Sequence, residues 1–230
     1  MTQGSILAWL NADDCWVVPN AVSRAVAYLT AHPEVDVVYG EADRIDAEGN
    51  VVGPGYWRPW DFTYAIERCN HCITQPAAFL KRQIVERVGW LDPNFIVKKD
   101  HELWLRIGLV GTIRHSPILL AHERACPGRW SRQGDLTAAA CVALTKKFFE
   151  LPHVPERLRG RRRAALSVAY LRGAQYAAIE GRHYAVALIY AIRGLWLRPA
   201  PLRHLLRYGW RRLIETLRLD GSIKHRALPT

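Results

Sequence analysis

Asn11, Asp13 and Asp14 stand directly after an apolar run at residues 6–10. The run reads as a short buried strand, which puts two adjacent carboxylates at its carboxyl end. Neighbouring carboxylates repel, and hard cations such as Mg2+ or Mn2+ offset that repulsion because they prefer oxygen ligands. In open α/β sheets, ligands gather at the carboxyl ends of strands. The alternative is a solvated turn, since Asp and Asn favour turns on their own account. A further carboxylate, Asp100, opens a helical stretch at 100–109 whose apolar face is Leu103, Trp104 and Ile107. Taken locally, Asp100 reads as a helix cap.

The elements that must position these groups follow from periodicity and punctuation. Residues 19–31 read as a helix with Val22, Val26 and Leu29 on one face. Residues 35–39 are a β-branched strand ended by Gly40, and 44–52 form a hairpin around Asp46 to Asn50. The Gly-, Pro- and aromatic-rich stretch 53–62 reads as an ordered loop. A strand at 72–79 surrounds Gln75-Pro76, a helix at 81–88 closes on Gly89, and a turn follows at 91–93. A strand at 112–121 and a helix at 136–150 come next. Two helices at 161–179 and 183–197, rich in alanine and joined by Glu180-Gly181-Arg182, resemble one tetratricopeptide-like pair, and one copy does not make an array. Residues 202–219 are amphipathic: Leu202, Leu206, Trp210, Leu213 and Leu217 share one face, and Arg203, Arg207 and Arg211 another.

The 230 residues suffice for one core with a small appendage. Half are hydrophobic and 23% are charged, as in a folded globular protein. The net charge of +11 is uneven. Residues 1–149 hold 16 Lys+Arg and 16 Asp+Glu, whereas 150–230 hold 16 and 5. That step, beside Pro152 and Pro155, divides the chain into a balanced part and a basic helical attachment. The five cysteines are odd in number and irregularly spaced. Cys69 and Cys72 form a C-x-x-C without the second pair a zinc site needs, so reduced thiols are expected. The first residues lack the basic start and long apolar run of a secretory signal, and no apolar run of about 18 residues suggests a membrane span. A cytoplasmic location is expected, with peripheral attachment to the inner face of the plasma membrane through 202–219, if that helix meets anionic lipid rather than its own domain.

Five segments in order carry a resemblance. They are Gly4 with Trp9-Leu10-Asn11-Ala12-Asp13-Asp14; Val37-Val38-Tyr39-Gly40-Glu41; Gln75-Pro76-Ala77-Ala78-Phe79; Val88-Gly89-Trp90-Leu91-Asp92; and Asp100-His101-Glu102-Leu103-Trp104-Leu105-Arg106. Over roughly residues 4–124 the chain resembles the second half of a family 2 glycosyltransferase of the GT-A fold. The resemblance implies an α/β protein: an incomplete GT-A (Rossmann-like) mixed sheet with flanking helices over 1–149, then a basic α-helical region over 150–230. It also implies an inverting transfer of a sugar from a nucleotide-sugar donor to a glycan or lipid-linked acceptor, with Mg2+ or Mn2+ as cofactor.

The resemblance distributes roles. Asn11, Asp13 and Asp14 take the place of the acidic donor motif, with Asn11 where an Asp often stands. Asp14 is assigned to the metal, and Asp13 to the donor ribose, sugar or a metal-bound water. Asp100 takes the place of the general base, a role compatible with a helix N-terminus, which favours the ionised carboxylate. Gln75 and Pro76, with Trp104 on the helix of the base, shape the acceptor pocket. Trp57 and Trp60 read either as sugar-stacking rings or as loop packing, and Lys98 and Lys99 as phosphate contacts or a surface pair. Cys126 stands where the family often has a His, so His122 is the substitute metal ligand, and Arg124, or Arg129 with Trp130, the phosphate neutraliser.

The family also has a preceding strand-helix-strand portion that binds the nucleotide base and ribose, and the chain is expected to lack it. The competing expectation is therefore a catalytically inactive truncated remnant, acting as a binding or membrane-associated module. Nucleic acid is not an expected partner: no recognised module is present, and the tail arginines are not interleaved with stacking aromatics.

Overall fold

The structure, a computed structural model, describes residues 3–17, 19–70, 72–125 and 133–198. The expected segment 202–219, together with Cys126, Arg129 and Trp130, lies outside the described residues.

Strand β3, Val37–Ile45, organises the sheet. Its side chains alternate with the period of two that a pleated strand imposes. Val37 and Tyr39 enter a large core on one face, and Val38 and Ala42 a smaller core on the other. Around it lie β1 (Ile6–Leu7), β5 (Ala78–Lys81), β6 (Ile113–Arg124) and β2 (Cys15–Trp16), in the order β1-β5-β3-β6-β2, with β4 (Val51–Pro54) paired to the far end of β3. Among the described residues only the β3–β6 pairing is parallel, so the sheet is mixed. Helix α1, Ala21–Ala31, covers the smaller core. Helices α2 (Phe62–Glu67), α3 (Arg82–Val88), α4 (Lys99–Val110), α5 (Gly134–Glu150) and α7 (Arg162–Ile179) bear on the larger one. The short α6, Glu156–Arg159, leads into α7, and α8, Tyr184–Leu197, packs on α7. The α/β class with a mixed sheet and flanking helices is thus the observed one.

Several local expectations change. Gly40 does not end a strand. Its Cα runs against β6, where a Cβ would lie 2.4 Å from the Ile118 carbonyl oxygen and 2.7 Å from the Leu120 side chain. Here β6 bulges: Tyr39 pairs with His115 and Glu41 with Leu119. Pro117 lies inside that bulge, where a missing N–H is tolerated. Gly40→Ala is therefore expected to cost about 1–3 kcal/mol by overpacking, read as a fall of several degrees in the thermal midpoint.

The expected strand at 72–79 is instead one turn of 3-10 helix, Gln75–Ala77, closed by Ala77 N–H donating to the Thr74 carbonyl (3.1 Å), before β5 begins at Ala78. The strand expected over 6–10 holds only to Leu7, because residues 8–10 leave the sheet for the site. Part of the expected 53–62 loop leads into α2, whose N-cap Asp61 accepts from Tyr64 N–H at 2.9 Å. On α1 the buried face is Ala21, Ala25 and Leu29 rather than the valines, since alanines let the helix lie close to the sheet. The basic helices share the core of the balanced part: Ala165 and Ala169 of α7 belong to the same buried cluster as Tyr39 and Trp104.

Candidate functional site

The acidic turn is built by hydrogen bonds of its own. Asp14 N–H donates to the Asn11 carbonyl (3.1 Å), closing a turn over 11–14. This turns Asp14 inward, to 7% exposure, while Asp13 stays half-buried. Asp14 Oδ1 accepts the Arg124 backbone N–H (3.0 Å), and Oδ2 accepts from Asn11 Nδ2 (2.9 Å).

The same Asn11 amide nitrogen donates to Gln75 Oε1 (2.8 Å), and Gln75 Nε2 donates to the Trp9 carbonyl. These assignments fix one another. A carbonyl at Trp9 only accepts, so the Gln75 amide turns its oxygen to Asn11, which must present both its hydrogens. An Asp at 11 has no hydrogen to give. Asn11 thus bridges two acceptors that a carboxylate would repel. Asn11→Asp is expected to break both bonds and set three carboxylates in one turn. It should lower the thermal midpoint at pH 7 more than at pH 4, which paired melts at the two values would measure.

The chain of contacts continues to Asp100. The half-buried Trp9 ring stacks on Trp104, with centroids 5.5 Å apart and planes 12° apart. Trp104 lies on α4 four residues after Asp100, so the two share a helix face about 6 Å apart along the axis. Asp14, Asn11, Gln75, Trp9 and Trp104 therefore form one connected path from the acidic turn to the helix of Asp100. Trp104 itself is fully buried. Its ring supports Trp9 from beneath, which corrects the expectation that it contacts an acceptor.

Asp100 is not the cap of α4. The N-cap is Lys98, in the left-handed region at φ 60°, and no side chain caps the helix. Asp100 lies in the first turn, half-buried, and makes no hydrogen bond or ion pair among the described residues. Lys98 turns away from it, its Nζ 5.7 Å from the Tyr176 ring centroid on α7.

The rest of α4 is locked. Glu102, 3% exposed, receives Arg106 Nε at Oε1 (2.8 Å) and Arg106 Nη2 at Oε2 (2.7 Å). Arg106 also donates to the carbonyls of Val88, Gly89 and Trp90, and Lys147 of α5 reaches Glu102 Oε1 (2.6 Å) and Asp92 Oδ2 (2.6 Å). The Lys147 hydrogen bond, helped by the Asn94 N–H, holds the Asp92 carboxyl below the usual carboxylate range. A depressed folded value contributes stability above the unfolded pKa, and that stability is lost as pH falls through the folded one. Asp92→Asn should therefore flatten the acid limb of a plot of thermal midpoint against pH.

The other expected site residues fall nearby. Pro76 is buried, and its carbonyl accepts from Trp16 Nε1 (3.1 Å), tying the 3-10 turn to β2. His122 is half-buried on β6, opposite Cys15 and beside Asp43 in register. The Arg124 guanidinium donates to the carbonyls of Asp13 (3.0 Å), Asp46 (2.6 Å) and Ala47 (2.8 Å), so it braces the acidic turn. Trp57 stacks on His115 at 4.5 Å and Trp60 packs against Phe62, both as loop packing. Cys69 and Cys72 are buried free thiols with separate partners, the carbonyls of Cys141 and Asp61.

No group of three or more His, Cys, Asp or Glu side chains among the described residues is placed to hold a metal ion. A cage made by the protein alone is therefore not formed there. The Asp13 and Asp14 pair does suit Mg2+ or Mn2+ held jointly with substrate phosphates, because such ions commonly take only one or two carboxylates from the protein. Periodicity gave no hint of Trp9 or Lys147, although Trp9 lies within the acidic segment itself.

No family model matches the sequence. The O-antigen biosynthesis protein RfbC of Myxococcus xanthus is 26% identical over 125 residues, 53% of this chain and 9% of that protein. The chain thus spans about a tenth of that relative's length. Among solved structures, TarS residues 1–349 of S. aureus, in complex with UDP-GlcNAc, matches 97% of this chain and 70% of its own at 12% identity and a TM-score of 0.56. The mannosyltransferase PcManGT of Pyrobaculum calidifontis, in complex with GDP-Man and Mn2+, matches 96% of this chain and 59% of its own at 18% identity and a TM-score of 0.49. The TarS likeness shows that the two share a fold.

Proposed function

We propose that residues 1–149 carry an inverting, metal-dependent sugar transfer of the family 2 kind, from a nucleotide-sugar donor to a hydroxyl of a glycan or lipid-linked acceptor. The observation that carries this reading is the continuous path from the buried Asp14 through Asn11, Gln75 and the Trp9–Trp104 stack to the helix bearing Asp100, whose carboxylate has no partner among the described residues. The fold shared with TarS, whose structure holds UDP-GlcNAc, supports it. So does the sequence match to a protein of O-antigen biosynthesis.

In this reading Asp14, with His122, would hold a divalent cation, and Asp13 would contact the donor ribose, sugar or a metal-bound water. When bound, that ion offsets the negative charge that builds on the departing diphosphate. Asp100 accepts the proton of the acceptor hydroxyl. The acceptor oxygen bonds to the anomeric carbon from the face opposite the diphosphate, and the bond to the diphosphate oxygen breaks with its electron pair. The configuration inverts for that reason. Gln75 and Pro76 shape the acceptor side through the 3-10 turn they form, and Arg124 holds the acidic turn in place for the donor. Residues 150–230 serve as a basic attachment toward anionic surfaces.

Calorimetric titration with a panel of UDP- and GDP-sugars, with and without Mn2+, tests the donor half of this reading. Binding that needs Mn2+ and is lost in Asp13→Asn, which leaves the two hydrogen bonds to the Asp14 carboxylate in place, is the expected result. No binding of any donor at millimolar concentration with Mn2+ present would overturn activity for this chain alone.

A further inference from the structure

The outward side of α8 is apolar along its whole length. Tyr184 is 70% exposed, Leu188 62%, Ile192 58% and Trp196 78%, with Ile189 and Leu195 beside them. At about 100° per residue these six side chains fall within an arc of roughly 140°. The inward side is narrow. Ala187 and Gly194 are buried, the Gly194 carbonyl accepts from Ser167 Oγ at 2.7 Å, and a Cβ at Gly194 would meet Leu171 at 2.8 Å. A helix apolar on nearly every side is ordinarily covered on every side.

The rim of this ridge says what covers it. Arg182 precedes α8, Arg193 lies on its edge and Arg198 follows, all exposed. Exposed Arg162 and Arg163 flank its far end, where Arg163 Nε donates to the Leu197 carbonyl (2.7 Å). Residues 150–198 hold nine arginines against Glu150, Glu156 and Glu180, and α8 itself has no acidic residue. A second copy would bring the same arginine rim against this one, which like charges disfavour. The segment 202–219, with five arginines, is a poor electrostatic match for the same reason. At 14 residues α8 is about 21 Å long, short of the ~30 Å hydrocarbon core, and no described helix is long and apolar enough to cross a membrane.

We propose that the outward face of α8 lies in the plane of an anionic lipid bilayer, with Tyr184, Leu188, Ile192 and Trp196 in the boundary between headgroups and acyl chains and the arginine rim on lipid phosphates. The inference stands on α8 alone and does not depend on sugar transfer.

Flotation of the full chain with vesicles of phosphatidylcholine and phosphatidylglycerol at 3:1, against phosphatidylcholine alone, tests it. The chain should float with the anionic vesicles. Joint Leu188→Gln, Ile192→Gln and Trp196→Gln substitution, on side chains already exposed, should weaken that binding roughly tenfold or more with the melt unchanged. Lipid brominated along the acyl chain should quench tryptophan emission less in Trp196→Phe than in the parent chain. These last two readouts keep the tests independent of each other. Failure of the parent chain to float, or equal flotation of the triple variant, would overturn the proposal. So would a parent dimer that the triple variant abolishes, which would assign the face to a second copy. Faster trypsin cleavage within 199–230 of the triple variant, with flotation unchanged, would overturn it in favour of the chain's own tail.

Discussion

Asp100→Asn is expected to leave the fold intact and, under the proposed function, to slow sugar transfer by about 10²–10⁴-fold, the range for loss of a positioned general base. Fold retention follows from the side chain's situation. The carboxylate is half-buried, caps nothing, and has no hydrogen-bond or ionic partner among the described residues, so an isosteric amide leaves no group stranded. The activity loss follows from chemistry, because an amide cannot take the acceptor's proton near neutral pH. The loss should fall on kcat, with the donor KM and the Mn2+ requirement unchanged, since the acidic turn is untouched. Transfer within a few-fold of the parent, or an equal loss in donor binding, would remove Asp100 from the role of base.

Much of this scaffold is legible from residue order. Periodicity located α4, α5, α7 and α8 within a residue or two, because each is long enough for a 3.6-residue pattern to repeat. Short elements were not legible in this way. The two-residue β2 has no period, and the six-residue α2 lies hidden among aromatics, with Asp61 as its one signal. Gly40 and Pro76 misled for a shared reason. Gly40 reads as the end of a strand and Pro76 as the middle of one, whereas tertiary contact decides the place of each: Gly40 admits β6, and Pro76 lies in a 3-10 turn anchored by Trp16.

The site divides along the same line. The acidic residues and Asp100 stood out by type and order, but what orients them did not. Nothing in spacing says that Asn11 must give both its hydrogens, that Trp9 leaves its strand to stack on Trp104, or that Arg124 turns its guanidinium onto three carbonyls. Apart from the Asn11–Asp14 bond, such contacts join residues some 60 to 110 positions apart, and only the folded chain brings them together.

Arg106→Met should be strongly destabilising, at about 3–5 kcal/mol, the cost of breaking a buried ion pair from one side. The Glu102 carboxylate would remain at 3% exposure with Lys147 as its one cation among the described residues. The carbonyls of Val88, Gly89 and Trp90 would each lose a charged donor. For a chain of this size such a loss lowers the thermal midpoint by roughly 10 °C. Glu102→Met with Arg106→Met should cost less than the two single changes summed, because the double variant strands no charge. The residual cost of the double variant then measures what the three carbonyls lose. The clamp also sets α4 against the 88–92 loop and α5, and α4 carries Asp100. At a temperature where Arg106→Met is still folded, kcat should therefore fall more than donor affinity, which depends on the acidic turn. A melt within 2 °C of the parent would show that water or a shifted Lys147 replaces the guanidinium, and that α4 is held by its apolar face alone.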